Sequence, residues 1–136
     1  MNFKTSTKIR FHDADPAGII FYAKVFEFAH NAFEDFFESL GLDWKNWFQN
    51  DAHIAPMRKA SAEYTSPLHF GETYTIEVQV THIGTSSFSL RYLFEDKTGK
   101  PCAVVDTTHV FVEKKNLKPT PMPEDLRQKL SQYLAA

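Results

Sequence analysis

The chain has 136 residues and a mass of 15.7 kDa, which favours a single domain with one hydrophobic core. Its 15 Lys and Arg residues against 17 Asp and Glu residues give a net charge of −2, which excludes a strongly basic nucleic-acid-binding protein. The sequence has neither the apolar stretch of a signal peptide nor that of a membrane-spanning helix, and its one cysteine, Cys102, excludes an internal disulfide. We therefore expect a cytoplasmic protein without nucleic-acid or membrane partners.

The first predicted elements are a short strand and a long helix. Alternating residues over Lys4–Phe11 predict the strand, and the segment His12–Gly18 is rich in turn formers. Apolar residues then recur at close to helical spacing over Tyr22–Leu40, and six phenylalanines lie between positions 21 and 37. Gly41 is placed to cap this helix. Because its polar stripe is narrow, we expect the helix to be buried around most of its circumference.

The rest of the chain is predicted to consist mostly of strands. A loop with Trp44 and Trp47 is followed by four of them: 54–64, a second containing Tyr74–Val80, a third containing Phe88–Phe94, and Cys102–Val112. A proline-rich segment then leads into a short helix with Leu126, Leu130 and Leu134 in register. This order predicts an α+β domain over residues 1–136, in which an antiparallel sheet of five strands wraps around one long helix.

The segment before the long helix carries the candidate chemistry. Asp15-Pro16-Ala17-Gly18 is a favourable turn sequence, and an Asp near a helix start also stabilises the helix dipole. The alternative is functional: Asp15 lies beside free amide groups at a helix N-terminus, which can bind an oxyanion. Asp13 fits a turn-shaping role better than a catalytic one, and no set of His residues has zinc-binding spacing.

The run Asp-Ala-Asp-Pro-Ala-Gly-Ile-Ile-Phe-Tyr, residues 13–22, resembles the signature of the 4-hydroxybenzoyl-CoA thioesterase family of hotdog-fold proteins. Later segments resemble the family in the same order: 62–67, 84–88, 109–112 and 118–123. Residues 21–34 are also similar to 1,4-dihydroxy-2-naphthoyl-CoA thioesterases. The resemblance implies a hotdog fold, with a short C-terminal helix after the sheet, and an acyl-CoA thioesterase that assembles as a homodimer or homotetramer.

The resemblance also implies roles for five residues. Asp15 corresponds to the family's catalytic carboxylate, a nucleophile or a general base on water, and the Tyr22 amide would polarise the thioester carbonyl. Tyr22 stands where the aliphatic-acyl subgroup usually has His, which favours an aromatic acyl group such as hydroxybenzoyl or dihydroxynaphthoyl. Gly18, Phe21 and His30 are expected to contact the substrate. No metal is expected, and coenzyme A enters only as part of the substrate.

The sequence leaves three alternative functions open. The first is a thioesterase for aliphatic acyl-CoA or acyl carrier protein, and the second is a hotdog hydratase, although no His lies seven residues after Asp15. The third is a non-catalytic acyl-CoA-binding domain. The residues that bind the coenzyme A phosphates are also open, because the turn over 84–87 is neutral; the candidates are Arg58, Lys59, Arg91, Lys114, Lys115 and Lys118.

Overall fold

The computed structural model describes residues 1–42 and 52–135. Strand β1 (Phe3–Lys8) is followed by a short 3-10 turn (Phe11–Asp13) and by helix α1 (Lys24–Ser39). The remaining elements are β2 (His53–Ile54), β3 (Met57–Tyr64), β4 (Thr73–Ile83), β5 (Ser87–Glu95), β6 (Pro101–Val110), β7 (Val112–Glu113) and helix α2 (Glu124–Ser131). The predicted loop with Trp44 and Trp47 lies outside the described residues.

Five of these strands form one antiparallel sheet in the order β1-β4-β5-β6-β3, while β2 and β7 pair with each other separately. Helix α1 packs on one face of the sheet, against β4, β1 and β6. Strands β1 and β3 are the two edges of the sheet. The predicted α+β architecture, five antiparallel strands with one long helix and a short C-terminal helix, is confirmed.

Strict alternation of apolar residues along the central strands builds the core. Every second residue of β4 and β5 is buried and faces α1, as expected for a sheet with one covered face. The helix contributes the other half of the core, and rings from both sides meet in the middle. The residues of this core on β4 and β5 are Tyr74, Ile76, Val78, Val80, Phe88, Leu90, Tyr92 and Phe94.

Helix α1 is less enclosed than its composition predicted. One side, with Val25, Phe36 and Phe37, is fully buried, but the side with Phe26 and His30 is exposed. The expectation of burial around most of the circumference is therefore wrong for the isolated chain, because the sheet covers one side of the helix. The exposed Phe26 lies next to edge strand β3.

Gly41 ends the helix as predicted. Its φ of +80° is a left-handed conformation that glycine adopts without strain. The Gly41 amide donates to the Glu38 carbonyl at 2.9 Å, and the Leu42 amide donates to the Phe37 carbonyl at 3.1 Å. These two bonds form a Schellman cap, which satisfies carbonyls that would otherwise lack donors at the helix end.

Several predicted boundaries need correction. The predicted strand 54–64 is two strands, β2 and β3, since Pro56 between them has no amide proton for a ladder. The last predicted strand, Cys102–Val112, ends at Val110, after which β7 begins. Leu134 is not part of α2: it is half-exposed and forms a bridge to Val80, near a bulge in β4.

Candidate active site

The predicted turn before α1 is a tight hairpin. The Gly18 amide donates to the Asp15 carbonyl at 3.0 Å, and the Asp15 amide donates to the Ile19 carbonyl at 2.9 Å. Gly18 has a φ of +81°, which a side chain would strain. The Asp15 carboxylate closes the loop by accepting the Ala17 amide on Oδ1 at 2.8 Å. The structural interpretation of this sequence is therefore correct, and it fixes the orientation of Asp15.

Asp13 supports this turn from inside the protein. Its side chain is buried, and Oδ2 accepts the Arg10 amide at 2.9 Å. Its carbonyl accepts the Phe21 amide at 2.8 Å, which holds the hairpin closed, and the nearest ammonium is that of Lys24 at 3.8 Å from Oδ1. These contacts agree with the predicted turn-shaping role.

The hairpin is anchored to the segment between β3 and β4. The Ile20 amide donates to the Leu68 carbonyl at 2.8 Å, and the Phe70 amide donates to the Gly18 carbonyl at 3.3 Å. Both bonds hold the turn against the end of β3. As a result, the Asp15 side chain lies at the wall of a pocket between the turn, the start of α1 and β3.

This pocket has a volume of about 420 Å³ and a mixed lining. Within the described ranges, Asp15 Oδ2 has no hydrogen-bond or ion-pair partner, so one carboxylate oxygen is available to a ligand or water. The lining residues are Asp15, Ile19, Ile20, Tyr22, Tyr64, Thr65, Ser66, Pro67 and Leu68.

Tyr22 stands just before the start of the helix and lines the same pocket. The Lys24 amide bonds back to the Phe21 carbonyl at 2.8 Å, so the chain already turns at Tyr22, two residues before the first residue of α1. The Tyr22 amide donates to no acceptor in residues 1–42 or 52–135. An unpaired amide at the positive end of a helix favours a negative oxygen nearby. Asp15 and Tyr22, predicted together, do line one pocket.

Tyr64, at the end of β3, is a site residue that the sequence reasoning missed. Its phenol donates a hydrogen bond to the Tyr22 carbonyl and so ties β3 to the helix start. Burial, and secondarily the neighbouring Tyr22 phenol, raises the pKa of Tyr64. Residues 62–67 carried part of the family resemblance, but nothing in the sequence linked Tyr64 to a residue 42 positions away.

The other three predicted site residues, Gly18, Phe21 and His30, do not line the pocket that contains Asp15 and Tyr22. Gly18 contributes backbone to the turn but does not line the pocket. Phe21 is half-exposed, and its ring packs on that of Tyr22 at 5.0 Å between centroids, beside the pocket. His30 lies two turns further along α1, where it pairs with Glu34 at 3.0 Å and lines a second pocket.

The second pocket lies between α1 and the inner face of the sheet. It is nearly apolar, has a volume of about 160 Å³, and is bordered by edge strand β3. Its lining consists of Phe26, Ala29, His30, Phe33, Met57, Ala60, Tyr92, Thr107 and His109. Tyr22 and Phe26 are one helical turn apart, so the two pockets follow each other along the groove between α1 and β3, hereafter the α1–β3 groove.

Other candidate features of the sequence show no comparable geometry. Arg91, a candidate for phosphate binding, is held by Asp106 through its Nε at 2.8 Å. Among residues 1–42 and 52–135, no three His, Cys, Asp or Glu side chains are grouped so that they could hold a metal ion. None of the helices in the described chain is long and apolar enough to cross a membrane.

Comparison with known proteins identifies the family of this chain. Residues 9–130 match the family model of the thioesterase-like superfamily. A 1,4-dihydroxy-2-naphthoyl-CoA hydrolase of Synechococcus elongatus is 30% identical over 120 residues, covering 88% of each chain. The enzyme of the same name from Thermosynechococcus vestitus is 29% identical over 118 residues, covering 87% of this chain and 81% of the relative.

The fold of the chain also resembles that of a solved thioesterase structure. A 1,4-dihydroxy-2-naphthoyl-CoA thioesterase from Synechocystis superposes with a TM-score of 0.90 at 20% identity, over 96% of both chains. The chain belongs to the thioesterase-like superfamily and has its hotdog fold. The family resemblance predicted from residues 13–22, and with it the class of thioester hydrolases, is confirmed.

Proposed function

We propose that this chain hydrolyses an aromatic acyl-CoA thioester to the free acid and coenzyme A. The observation that carries this proposal is that two residues line one pocket: Asp15, whose carboxylate is held by the Ala17 amide, and Tyr22, whose amide is unpaired among the described residues. Hydrolysis of a thioester needs little more. The thiol that is released has a pKa of about 8.5, so the thiolate can leave without a strong general acid.

The proposed reaction uses the two oxygens of Asp15 differently. Oδ1 keeps the Ala17 amide, while Oδ2 either takes a proton from an attacking water or attacks the carbonyl carbon itself. The carbonyl oxygen becomes an oxyanion that accepts the Tyr22 amide, and the C–S bond then breaks to release the thiolate. On the second route, water hydrolyses the resulting mixed anhydride. Neither route calls for a metal or a separate cofactor.

For the acyl group we propose an aromatic ring. The relatives described above are named for 1,4-dihydroxy-2-naphthoyl-CoA, which makes that ester the first substrate to assay. The residue at position 22 is Tyr rather than the His of aliphatic thioesterases, as the family resemblance indicates. The second pocket adds an apolar space one helical turn from Tyr22 that suits a ring.

A thiol-release assay over a panel of aryl and aliphatic CoA esters tests this function. We expect kcat/KM to be highest for an aryl ester. Turnover confined to aliphatic esters would contradict the aromatic preference. Binding of CoA esters without thiol release would support the acyl-binding alternative instead, and hydration of an enoyl-CoA without thiol release would support the hydratase.

We further infer that two copies pair along β3 to form a homodimer, which can assemble into a homotetramer. Strand β3 is an exposed sheet edge, and such edges invite pairing with a second chain. Exposed apolar side chains of Tyr22, Phe26, Met57 and Tyr64 lie along the same groove. Reaction with coenzyme A esters is also consistent with the cytoplasmic location expected from the sequence.

A further inference from the structure

Two hydrogen bonds, one on each side, hold the backbone of Tyr22. The peptide group between Phe21 and Tyr22 contains the proposed oxyanion donor, the Tyr22 N–H. The carbonyl of this peptide group accepts the Lys24 amide at 2.8 Å. The carbonyl of the next peptide group, between Tyr22 and Ala23, accepts the phenol of Tyr64. The conformation of residue 22 therefore depends on one local bond and on one bond from strand β3.

Helix α1 does not supply a substitute for the bond from Tyr64. In a regular α-helix the Tyr22 carbonyl would accept the amide four residues later, that of Phe26. The Phe26 amide donates instead to the Ala23 carbonyl, at 3.3 Å. Among residues 1–42 and 52–135, the Tyr64 phenol is the donor that the Tyr22 carbonyl has. Without the hydroxyl, the peptide group after Tyr22 would lose its partner.

The backbone that carries this phenol is held by the sheet. Tyr64 is the last residue of β3 and pairs with Ala103 on β6. Immediately after it, the Thr65 and Ser66 amides both donate to the Cys102 carbonyl, at 2.9 and 3.1 Å. The Tyr64 phenol is therefore a fixed point of the sheet, and the helix start is bonded to it.

The segment 64–68 contacts both groups of the proposed reaction. The Leu68 carbonyl accepts the Ile20 amide at 2.8 Å and so holds the hairpin that carries Asp15. At the other end of the segment, the phenol holds the Tyr22 carbonyl. All five residues of the segment also line the pocket that contains Asp15 and Tyr22. One short segment thus sets the position of the carboxylate relative to that of the amide.

We propose that Tyr64 is a positioning residue, which fixes the direction of the Tyr22 amide through its bond to the Tyr22 carbonyl. The inference rests on the proposed thioesterase function. The bond does not involve the substrate, so the amide is oriented before the oxyanion forms. Because the oxyanion develops only on the way to the transition state, loss of this bond should lower kcat without weakening substrate binding.

The test is Tyr64→Phe, which removes the hydroxyl and keeps the ring. The substrate is the CoA ester with the highest kcat/KM in the thiol-release panel. We expect kcat and kcat/KM to fall equally, by about tenfold, as for one lost hydrogen bond, while KM stays within about twofold. Tyr133→Phe is the matched control, because it removes a phenol oxygen from a half-buried ring that packs on Phe36, away from both pockets. Its kcat and KM should equal those of the wild type.

A second measurement observes the bond itself, without turnover. Since the Tyr64 ring is half-exposed, Tyr64→Phe should fold, with a Tm close to that of the wild type. In protein labelled with ¹³C at the tyrosine carbonyls, the Tyr22 signal should move upfield in Tyr64→Phe and stay in place in Tyr133→Phe.

The outcomes separate this inference from the proposed function. Unchanged kcat in Tyr64→Phe, or an unchanged Tyr22 carbonyl signal, would overturn the positioning role while the thioesterase function stands. A raised KM with kcat unaltered would also overturn it, by showing that the phenol binds substrate instead. Absence of thiol release from every ester in the panel would overturn both.

Discussion

Asp15 has two carboxylate oxygens in different environments, and this difference makes its proposed role testable by an isosteric change. Asp15→Asn keeps an oxygen that can accept the Ala17 amide but removes the negative charge and the basicity. We expect thiol release to fall by about 10²- to 10⁴-fold, the usual contribution of a general base or nucleophile, with little change in thermal stability.

Asp96 offers the matched control for that experiment. Its Oδ1 accepts the amide of Thr98, two residues later, at 2.9 Å, the same local bond that Asp15 makes with Ala17. Asp96 lies in the turn between β5 and β6, away from both pockets. Asp96→Asn should retain full activity, and an Asp15→Asn protein that also retained it would rule out a catalytic Asp15.

His109 makes the stability of the protein depend on pH. Its pKa of about 4 in the folded protein lies below the ordinary value of 6.5, chiefly because of burial. As the pH falls, His109 is protonated at a higher pH in the unfolded chain than in the folded protein. The stability that neutral His109 contributes is therefore present above about pH 6.5 and is lost as the pH falls from 6.5 to 4. The full loss is about 3 kcal/mol, of which about 2 kcal/mol falls between pH 7 and pH 5.

Urea unfolding at pH 7 and pH 5 measures this loss. Titration of the carboxylates also contributes to the pH dependence, so the diagnostic quantity is the difference between wild-type protein and His109→Phe. The variant should lose about 2 kcal/mol less than the wild type between the two pH values. Identical losses in the two proteins would show that folding does not lower the pKa of His109.

The residues that define the site differ in how far the sequence could predict them. Asp15 and Gly18 belong to one contiguous turn, whose local bonds depend on neighbouring residues, so both were predictable. Tyr64 acts through a residue on another element, because its phenol donates to the Tyr22 carbonyl at the helix start. Such contacts depend on strand order and register, which local patterns do not determine.

At the scale of single elements, the end of helix α1 depends on one backbone conformation. Gly41 has a φ of +80°, and within residues 1–42 and 52–135 an added Cβ would meet the Lys129 Nζ alone, at 3.9 Å. Among these residues nothing obstructs a side chain, so its cost is conformational. We expect Gly41→Ala to reduce the free energy of unfolding by about 1 kcal/mol through strain in the left-handed region.

A second substitution, by Asn at position 41, distinguishes backbone strain from a side-chain contact as the cause of the lost stability. Asn tolerates left-handed backbone better than Ala does, so Gly41→Asn should recover part of the lost stability in urea unfolding. If Ala and Asn were equally destabilising, a contact of the side chain, rather than φ, would be the cause. Thiol release should be unchanged in both variants, since Gly41 is at the opposite end of the helix from Tyr22.

The same helix shows where periodicity stops being informative. Its apolar spacing predicted the buried residues Val25, Phe33 and Phe36 correctly. Phe26 follows the same spacing but is exposed, because the sheet covers only one side of the helix in the isolated chain. Periodicity identifies the residues that prefer burial, whereas the partner that buries them can be another element or another chain.

At the scale of the whole molecule, the two sheet edges differ. Strand β1 alternates half-buried residues with exposed Lys4, Ser6 and Lys8, so its exposed charges are all positive, whereas β3 carries both signs in Arg58, Lys59 and Glu63. Strand β3 is exposed at almost every residue and lies beside both pockets. If two copies pair along β3 as we infer, the α1–β3 groove gains a second wall, and activity becomes dependent on association.

A pair of serine substitutions distinguishes the two edges. Ser61→Lys adds a charge to exposed β3, where pairing with a second copy would bring two lysines close together and weaken association severalfold, most strongly at low salt. Ser6→Lys makes the same change on β1 and should leave the mass unaltered. Sedimentation should show wild-type and Ser6→Lys protein at a multiple of 15.7 kDa, with Ser61→Lys shifting towards the monomer as it is diluted. Thiol release per chain should fall along with that shift. A wild-type monomer that is fully active at nanomolar concentration would show instead that one chain holds a complete site.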